Sequence, residues 1–168
     1  MSPQPLPRSR AMAASRAFYL DASALVKRYV TEIGSSWIAA LCADEDTNAL
    51  GIANIGIVEV AAAFAAKRRG GFITTEEHDG LLTDLLVDAG ERYRLVPVGP
   101  ALISSAIHLT RQHRLRGYDA IHLACALSLN TTLTAGNATA LIFVAADANL
   151  LAAAQAEGLT TENPNGHA

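Results

Sequence analysis

Four carboxylates in this sequence stand apart from all other charged side chains. They are Asp21, alone in 17–26; Glu59, alone in 47–66; and Asp119 and Asp147, which share 117–156. The surrounding residues are largely apolar and suited to burial. Because burying an ionised carboxylate without a partner is costly, each of these acids needs a cation, a set of hydrogen-bond donors or a functional cleft.

A ring of three or four such carboxylates, with no lysine close to it, is typical of a site for a hard divalent cation. Mg²⁺ and Mn²⁺ prefer oxygen ligands and keep several of their waters. An ion of this kind activates water and neutralises charge on a phosphoryl group. The four acids are therefore candidate catalytic and metal-binding residues, with Mg²⁺ or Mn²⁺ as the expected cofactor.

Two further side chains near these acids could take part in the chemistry. His122 follows Asp119 by one helical turn and could be a ligand or a base, although a histidine on an apolar helix face is more often a packed core residue. Ser23 has no general base placed to activate it as a nucleophile. Its hydroxyl is available to Asp21 or to a water at the metal, and helix capping is the alternative.

The elements that would position Asp21 and Asp147 are two apolar strands. Phe18, Tyr19 and Leu20 are strand-like and helical sequence begins at Ala22, so Asp21 falls at the joint. The run LIFVAA at 141–146 predicts a strand that ends at Asp147. Parallel strands present their carboxyl ends at one edge of a sheet, where ligands bind in open α/β folds. Asp21 could instead serve only as a helix N-cap.

The other two acids are predicted to lie near helix starts. Glu59 falls one turn into a helix for which Asn54 is a candidate N-cap, and Asp119 opens a helix over 118–129. Helices that follow strands can carry both residues over the same edge of the sheet. All four carboxylates could therefore meet.

The 168 residues are 51% hydrophobic, which fits one domain with a sizeable core. We expect a disordered N-terminal arm over 1–16, a domain over 17–159 and a frayed tail over 160–168. Alternating strands and helices predict an α/β fold, a three-layer α/β/α sandwich around a mainly parallel sheet. Helix N-caps are expected at Ser35 or Ser36 and at Thr74, where Glu77 completes a capping box, and a long polar loop is expected over 130–140.

Composition restricts the remaining possibilities. The net charge of −3 argues against a non-specific polyanion binder, although local basic patches can still contact phosphates. Cys42 and Cys125 lie far apart in apolar helical sequence, which is typical of buried, reduced thiols in a cytoplasmic protein. No stretch is long and apolar enough to predict a membrane span or a signal peptide.

Four blocks of sequence, in this order and spacing, resemble the PIN-domain ribonucleases of the VapC toxin type. They are YLDASALVKRY, NIGIVEVAAAFAA, RGYDAIHLACAL and FVAADANLLAAAQAEGL, and the resemblance runs from Ala17 to Leu159. The resemblance implies a doubly wound PIN-like fold in which Asp21, Glu59, Asp119 and Asp147 hold Mg²⁺ or Mn²⁺. It also implies a toxin role beside a cognate antitoxin protein, and a homodimer. Asn54 stands where the family more often carries serine or threonine, so an amide replaces a hydroxyl beside the site.

The chemistry expected of such a site is metal-dependent hydrolysis of RNA phosphodiesters, leaving 5′-phosphate and 3′-hydroxyl ends. Basic residues flank the acidic blocks and could contact the RNA backbone, although solvated helix ends are the alternative. They are Lys27, Arg28, Arg68, Arg69, Arg114 and Arg116.

Two other classes remain open at this point. A phosphatase of the haloacid-dehalogenase type would carry Asp-x-Asp where this chain has Asp21-Ala22-Ser23, and a phospho-receiver domain would carry a late lysine, whereas none follows Lys67. A non-catalytic RNA-binding module on the same fold is the second alternative. Retention of all four acids disfavours it.

Overall fold

The computed structural model describes residues 16–167. The predicted disordered arm therefore lies outside the described residues, apart from Arg16, which begins the first strand. Within 16–167, no helix combines the length and the apolar character needed to cross a membrane.

Five parallel strands form one central sheet. They are β1 (Arg16–Leu20), β2 (Asn48–Ala53), β3 (Tyr93–Val96), β4 (Leu141–Val144) and β5 (Thr160–Glu162). The strand order is β3-β2-β1-β4-β5, with β1 in the centre between β2 and β4. The strand order reverses between β1 and β4. Such a switch point opens a crevice at the carboxyl edge of the sheet, where ligands bind in doubly wound folds.

Seven α-helices connect and cover these strands in the described part of the chain. They are α1 (Ala22–Leu25), α2 (Ser35–Ala43), α3 (Asn54–Arg69), α4 (Thr75–Glu91), α5 (Pro100–Gln112), α6 (Gly117–Ala135) and α7 (Ala148–Ala156). A 3₁₀ turn over Val26–Arg28 continues α1, and another forms at Pro164–Gly166. The helices lie on both faces of the sheet, so the predicted three-layer α/β/α fold is confirmed.

Each face of the sheet has its own hydrophobic core, as the period-two alternation of β1 requires. Tyr19 and Phe143 face the layer that contains α6, and Cys125 is buried there. Phe18 and Leu20 face the opposite layer, where Cys42 is buried. The central sheet thus packs between two separate apolar layers, and these layers fix the positions of the strand ends.

The helix starts agree with the sequence patterns in part. The capping box is confirmed, because Thr74 accepts a hydrogen bond from the Glu77 backbone N–H at 3.1 Å and Glu77 accepts one from the Thr74 backbone N–H at 2.7 Å. Helix α2 is capped by Gly34, so the predicted cap at Ser35 or Ser36 is wrong. Gly34 has a φ of 84°, and an added Cβ would lie 2.2 Å from the Pro164 carbonyl oxygen. Only glycine fits there.

Helix α6 is longer than its sequence suggested, and the predicted polar loop over 130–140 is wrong in its first half. Residues 130–135 continue the helix. The hydroxyls of Thr131 and Thr132 each donate to the carbonyl oxygen four residues earlier, and Leu133 is buried in the core. Threonines that hydrogen-bond within the helix and one buried leucine thus extend it through polar sequence.

The C-terminal residues are part of the sheet, so the expectation of a frayed tail from residue 160 is wrong. Strand β5 pairs with β4, with Thr160 beside Ile142 and Glu162 beside Val144. Beyond it, the indole of Trp37 stacks on the His167 ring at 4.4 Å between centroids. These contacts attach the end of the described chain to β4 and α2, and they give the sheet its fifth strand.

Candidate active site

Asp21 lies directly after β1 at the carboxyl edge of the sheet. Its side chain caps α1 by accepting a hydrogen bond from the Ala24 backbone N–H at 2.9 Å. Asp21 is therefore both a helix cap and a residue at the end of a strand. The residue is only 4% exposed. Burial raises the pKa of this carboxyl, while the charge of His122 and the hydrogen bond from Ser23 act to lower it. A buried acid with a raised pKa lacks a full set of compensating partners.

Ser23 connects the ends of two strands. Its Oγ lies 2.7 Å and 2.9 Å from the two carboxylate oxygens of Asp21, to one of which it donates. The same Oγ accepts from the backbone N–H of Ala146 at 2.9 Å. Since Ala146 precedes Asp147, this one hydroxyl fixes the β1 end against the β4 end. The expectation that Ser23 serves Asp21 agrees with this contact, and the hydroxyl is not free to act as a nucleophile.

Asp147 and Asp119 lie at the starts of α7 and α6. Asp147 caps α7 by accepting from the Leu150 backbone N–H at 2.9 Å, and its side chain is exposed. Asp119 lies in the first turn of α6 and is half-buried. Burial raises the pKa of Asp119, the backbone N–H of Arg116 acts to lower it, and the negative charge of Asp147 raises it further. The two carboxylates are therefore close enough to repel each other.

Glu59 is held by His122. The Nε2 atom of His122 lies 2.6 Å from Oε2 of Glu59, and the Nδ1 atom lies 2.9 Å from the hydroxyl of Tyr19. His122 is only 2% exposed, so the expectation of a packed core histidine is correct. The contact with Glu59 had not been predicted. No spacing along the chain signals it, because Glu59 lies 63 positions away on α3.

The four acids thus lie at one edge of the sheet, where they interact with His122 or with one another. The charge of His122 acts on both Asp21 and Asp119, Asp147 acts on Asp119, and Glu59 bonds to His122 itself. In residues 16–167, no three Asp, Glu, His or Cys side chains converge closely enough to hold an ion in this conformation. The predicted four-acid ring is therefore only partly assembled.

The donor chemistry nonetheless fits a hard divalent cation. Asp21 and Asp119 have their pKa values raised by burial, and a cation between them would compensate the charge that burial penalises. All four acids offer oxygen atoms, which Mg²⁺ and Mn²⁺ prefer. The residues present therefore suit such an ion in their chemistry, although they do not converge on one point in this conformation.

The predicted RNA-contacting residues divide into two groups. Arg68, Arg69, Arg114 and Arg116 are exposed. Lys27 is only 6% exposed and its Nζ lies 3.3 Å from Glu32, which also pairs with Lys67. Arg28 lies 3.8 Å from buried Asp88. Lys27 and Arg28 thus pair with carboxylates of this chain, Glu32 at the surface and Asp88 in the interior, whereas the four exposed arginines are the more accessible candidates for RNA phosphates.

Asn54 does not cap α3 as its sequence suggested. It is the first residue of the helix, and the cap position belongs to Ala53. Its side-chain oxygen accepts from the Val98 backbone N–H at 3.4 Å, and the residue is exposed. Asn54 therefore ties the start of α3 to the segment after β3.

A separate cavity of about 480 Å³ opens at the opposite edge of the sheet, near the first residues of β1, β2 and β3. Asn48, Tyr93 and Arg92 are among its lining residues, and none of the four acids is. Arg92 is paired with Glu45 at 2.7 Å there. This cavity lies away from the carboxyl ends of the strands and is not part of the acidic site.

Comparison with known proteins agrees with this architecture. The family model for the PIN domain matches residues 18–141. Ribonuclease VapC45 of Mycobacterium tuberculosis (strain CDC 1551 / Oshkosh) is 39% identical over 111 residues, which cover 66% of this chain and 75% of that protein. Ribonuclease VapC49 of strain ATCC 25618 / H37Rv matches with the same identity and coverage.

Solved structures with the same fold include PAE2754 from Pyrobaculum aerophilum, with a TM-score of 0.60 and 20% identity over 87% of this chain and 90% of that one. VapBC2 from Rickettsia felis, bound to a DNA fragment from their promoter, matches with a TM-score of 0.58 and 14% identity over 88% and 98% of the two chains. The family match and the curated relatives confirm the resemblance found in the four sequence blocks. This chain belongs to the PIN domain family.

Proposed function

We propose that this protein is a metal-dependent endoribonuclease and the toxin component of a toxin–antitoxin pair. The observation that carries the proposal is the placement of four isolated carboxylates, with two raised pKa values, at the switch point of a PIN fold. The 39% identity to proteins named ribonuclease VapC supports RNA as the substrate and the toxin role.

In this proposal Asp21, Glu59, Asp119 and Asp147 would hold Mg²⁺ or Mn²⁺. When bound, such an ion would polarise a phosphoryl oxygen and lower the pKa of water. Hydrolysis in which water adds to phosphorus and the P–O3′ bond breaks, the 3′ oxygen leaving with a proton, gives 5′-phosphate and 3′-hydroxyl ends. Asp21 and Asp119 would contact the ion directly, because burial penalises their negative charge and a cation would compensate it. Asp147 is exposed and caps α7, so it is the outermost of the four.

The remaining residues bind and orient the substrate. Arg116 and Arg114 are exposed beside the start of α6, and Arg68 and Arg69 end α3, so their guanidinium groups can pair with phosphates along an RNA strand. Tyr118 is 60% exposed and immediately precedes Asp119. An exposed aromatic ring beside the reacting phosphate offers a stacking surface for an unpaired base.

The decisive experiment is cleavage of an end-labelled single-stranded RNA with Mn²⁺, with Mg²⁺ and with excess EDTA. We expect cleavage only with metal, and about 100-fold or greater loss in Asp21→Asn, Glu59→Gln and Asp119→Asn. The matched control is Asp84→Asn, since Asp84 is an exposed acid on α4. Undiminished cleavage in EDTA, or full activity of Asp119→Asn, would show that the assignment is wrong.

The partner proteins are tested separately. Expression of this chain alone should arrest growth, and co-expression of its cognate antitoxin should restore it. We also propose a homodimer, for which Ile103 and Ile107, both exposed and one turn apart on α5, are candidate contacts. Light scattering of the purified protein measures its oligomeric state, and a monomer at all concentrations would contradict the dimer.

A further inference from the structure

His122 has both ring nitrogens engaged although it is almost fully buried. Nε2 lies 2.6 Å from a Glu59 carboxylate oxygen, and Nδ1 lies 2.9 Å from the Tyr19 hydroxyl. An ionised carboxylate can only accept hydrogen bonds, so Nε2 carries the proton toward Glu59 whether or not the ring is charged. The interaction is a short, charge-assisted hydrogen bond between α6 and α3.

The imidazole is fixed from two sides. Tyr19 is fully buried on β1 and stacks on Phe143 at 5.7 Å between centroids, so its hydroxyl is a fixed partner for Nδ1. Gly56 lies one turn before Glu59 on α3, and a Cβ added there would lie 3.3 Å from Cε1 of His122. Cε1 is the carbon between the two nitrogens. The missing side chain at Gly56 therefore lets the ring approach α3 closely enough to reach Glu59.

We propose that His122 is a positioning residue that holds the Glu59 carboxylate in place for the divalent cation. This inference rests on the proposed function, since it needs Glu59 as a metal ligand. The hydrogen bond occupies Oε2, and the structure shows no hydrogen bond to Oε1 from the residues it describes. A glutamate side chain has three rotatable bonds, so fixing one oxygen reduces the entropy lost when the other binds an ion.

The test measures Mn²⁺ binding by calorimetry, independently of catalysis, in the full-length protein. We expect His122→Leu to weaken Mn²⁺ binding about 10- to 100-fold, as is typical when a hydrogen-bond partner of a metal ligand is removed. His122→Gln keeps an N–H donor near the Nε2 position and should recover part of the affinity. In the Glu59→Gln background, His122→Leu should cause no further loss, because its effect passes through Glu59.

His113→Leu is the matched control. His113 also places Nε2 2.6 Å from a glutamate oxygen, that of Glu157, at the far ends of α5 and α7. This variant should leave Mn²⁺ binding unchanged. Thermal melts of each variant in EDTA measure any loss of stability separately from loss of affinity.

The outcomes separate this inference from the proposed function. If Glu59→Gln weakens Mn²⁺ binding but His122→Leu does not, the positioning role is wrong and the metal site stands. Equal losses from His122→Leu with and without the Glu59 carboxylate would indicate a purely structural histidine and also overturn the inference. If Glu59→Gln leaves Mn²⁺ binding intact, both the inference and the ligand role of Glu59 are wrong.

Discussion

Replacing Ser23 by alanine removes the one hydroxyl that joins the ends of β1 and β4. The lost contacts are a hydrogen bond to the Asp21 carboxylate, at 2.7 Å, and one from the Ala146 backbone N–H, at 2.9 Å. A hydrogen bond to a charged group contributes about 1.5–3 kcal/mol and a neutral one about 1 kcal/mol. Because Ala146 is only partly buried, water recovers some of the second. We expect Ser23→Ala to lower the free energy of unfolding by about 2–3 kcal/mol at pH 7.

The size of this loss should depend on pH. Burial raises the pKa of Asp21, so the folded protein holds this proton more tightly than the unfolded chain does. Stability from this group is therefore lost as the pH rises from about 4 through the raised value. The hydrogen bond from Ser23 lowers the Asp21 pKa, so its removal enlarges the loss in that pH range. Below about pH 4, where both states are protonated, only the smaller neutral contribution remains.

Urea unfolding in EDTA at pH 4.5 and pH 7 measures both effects. For a protein of this size a loss of about 2–3 kcal/mol corresponds to a fall in Tm of about 5–10 °C. The control is Ser105→Ala, which removes an exposed hydroxyl that donates to the Ala101 carbonyl at 3.1 Å. The reasoning fails if Ser23→Ala costs no more than Ser105→Ala, or if its cost is the same at both pH values.

Three further outcomes follow from the structure. Asp119→Asn should be inactive yet have a higher Tm than the wild type in EDTA at pH 7, because burial raises the Asp119 pKa and the variant removes the charge that burial penalises. Millimolar Mn²⁺ should narrow or reverse this difference in Tm, since it stabilises only the wild type. A lower Tm of the variant in EDTA would mark Asp119 as chiefly a capping residue. Gly34→Ala should lower the free energy of unfolding by at least about 2 kcal/mol more than Gly71→Ala. Both glycines have a positive φ, but of the two only Gly34 would bring an added Cβ against a carbonyl oxygen, at 2.2 Å. Equal losses of stability in urea unfolding would contradict this. Tyr118→Ala should weaken binding of single-stranded RNA about 5- to 100-fold in a fluorescence anisotropy titration, whereas Tyr118→Phe keeps the stacking ring and should bind normally; equal binding by both variants would exclude base stacking.

The central sheet and the positions of Asp21 and Asp147 were readable from the sequence because both acids directly follow strongly apolar runs. The last strand was not. Thr160–Glu162 is three polar residues long and pairs with β4 alone, so neither apolar alternation nor length distinguishes it from a loop. Its pairing depends on β4 being in place, which is a tertiary contact.

The site was predictable in its acids and less so in their partners. A lone carboxylate in apolar sequence signals an unusual environment, and that signal identified Glu59 and Asp119. His122 reaches Glu59 across 63 positions of sequence, whereas Lys27 pairs with Glu32 only five positions away. The first contact forms because the fold brings α6 and α3 together, on which the spacing of residues along the chain carries no information. The second depends on how the chain turns between the 3₁₀ turn and α2.

The two cysteines divide between the two cores, Cys125 on α6 and Cys42 on α2 in the opposite layer. Burial raises the pKa of each thiol to about 11, so neither should react with an alkylating reagent while its layer stays closed. Each thiol can therefore serve as a native reporter for one side of the sheet. The rates at which the two are alkylated would show whether the helical layers open together or one at a time, without any introduced label.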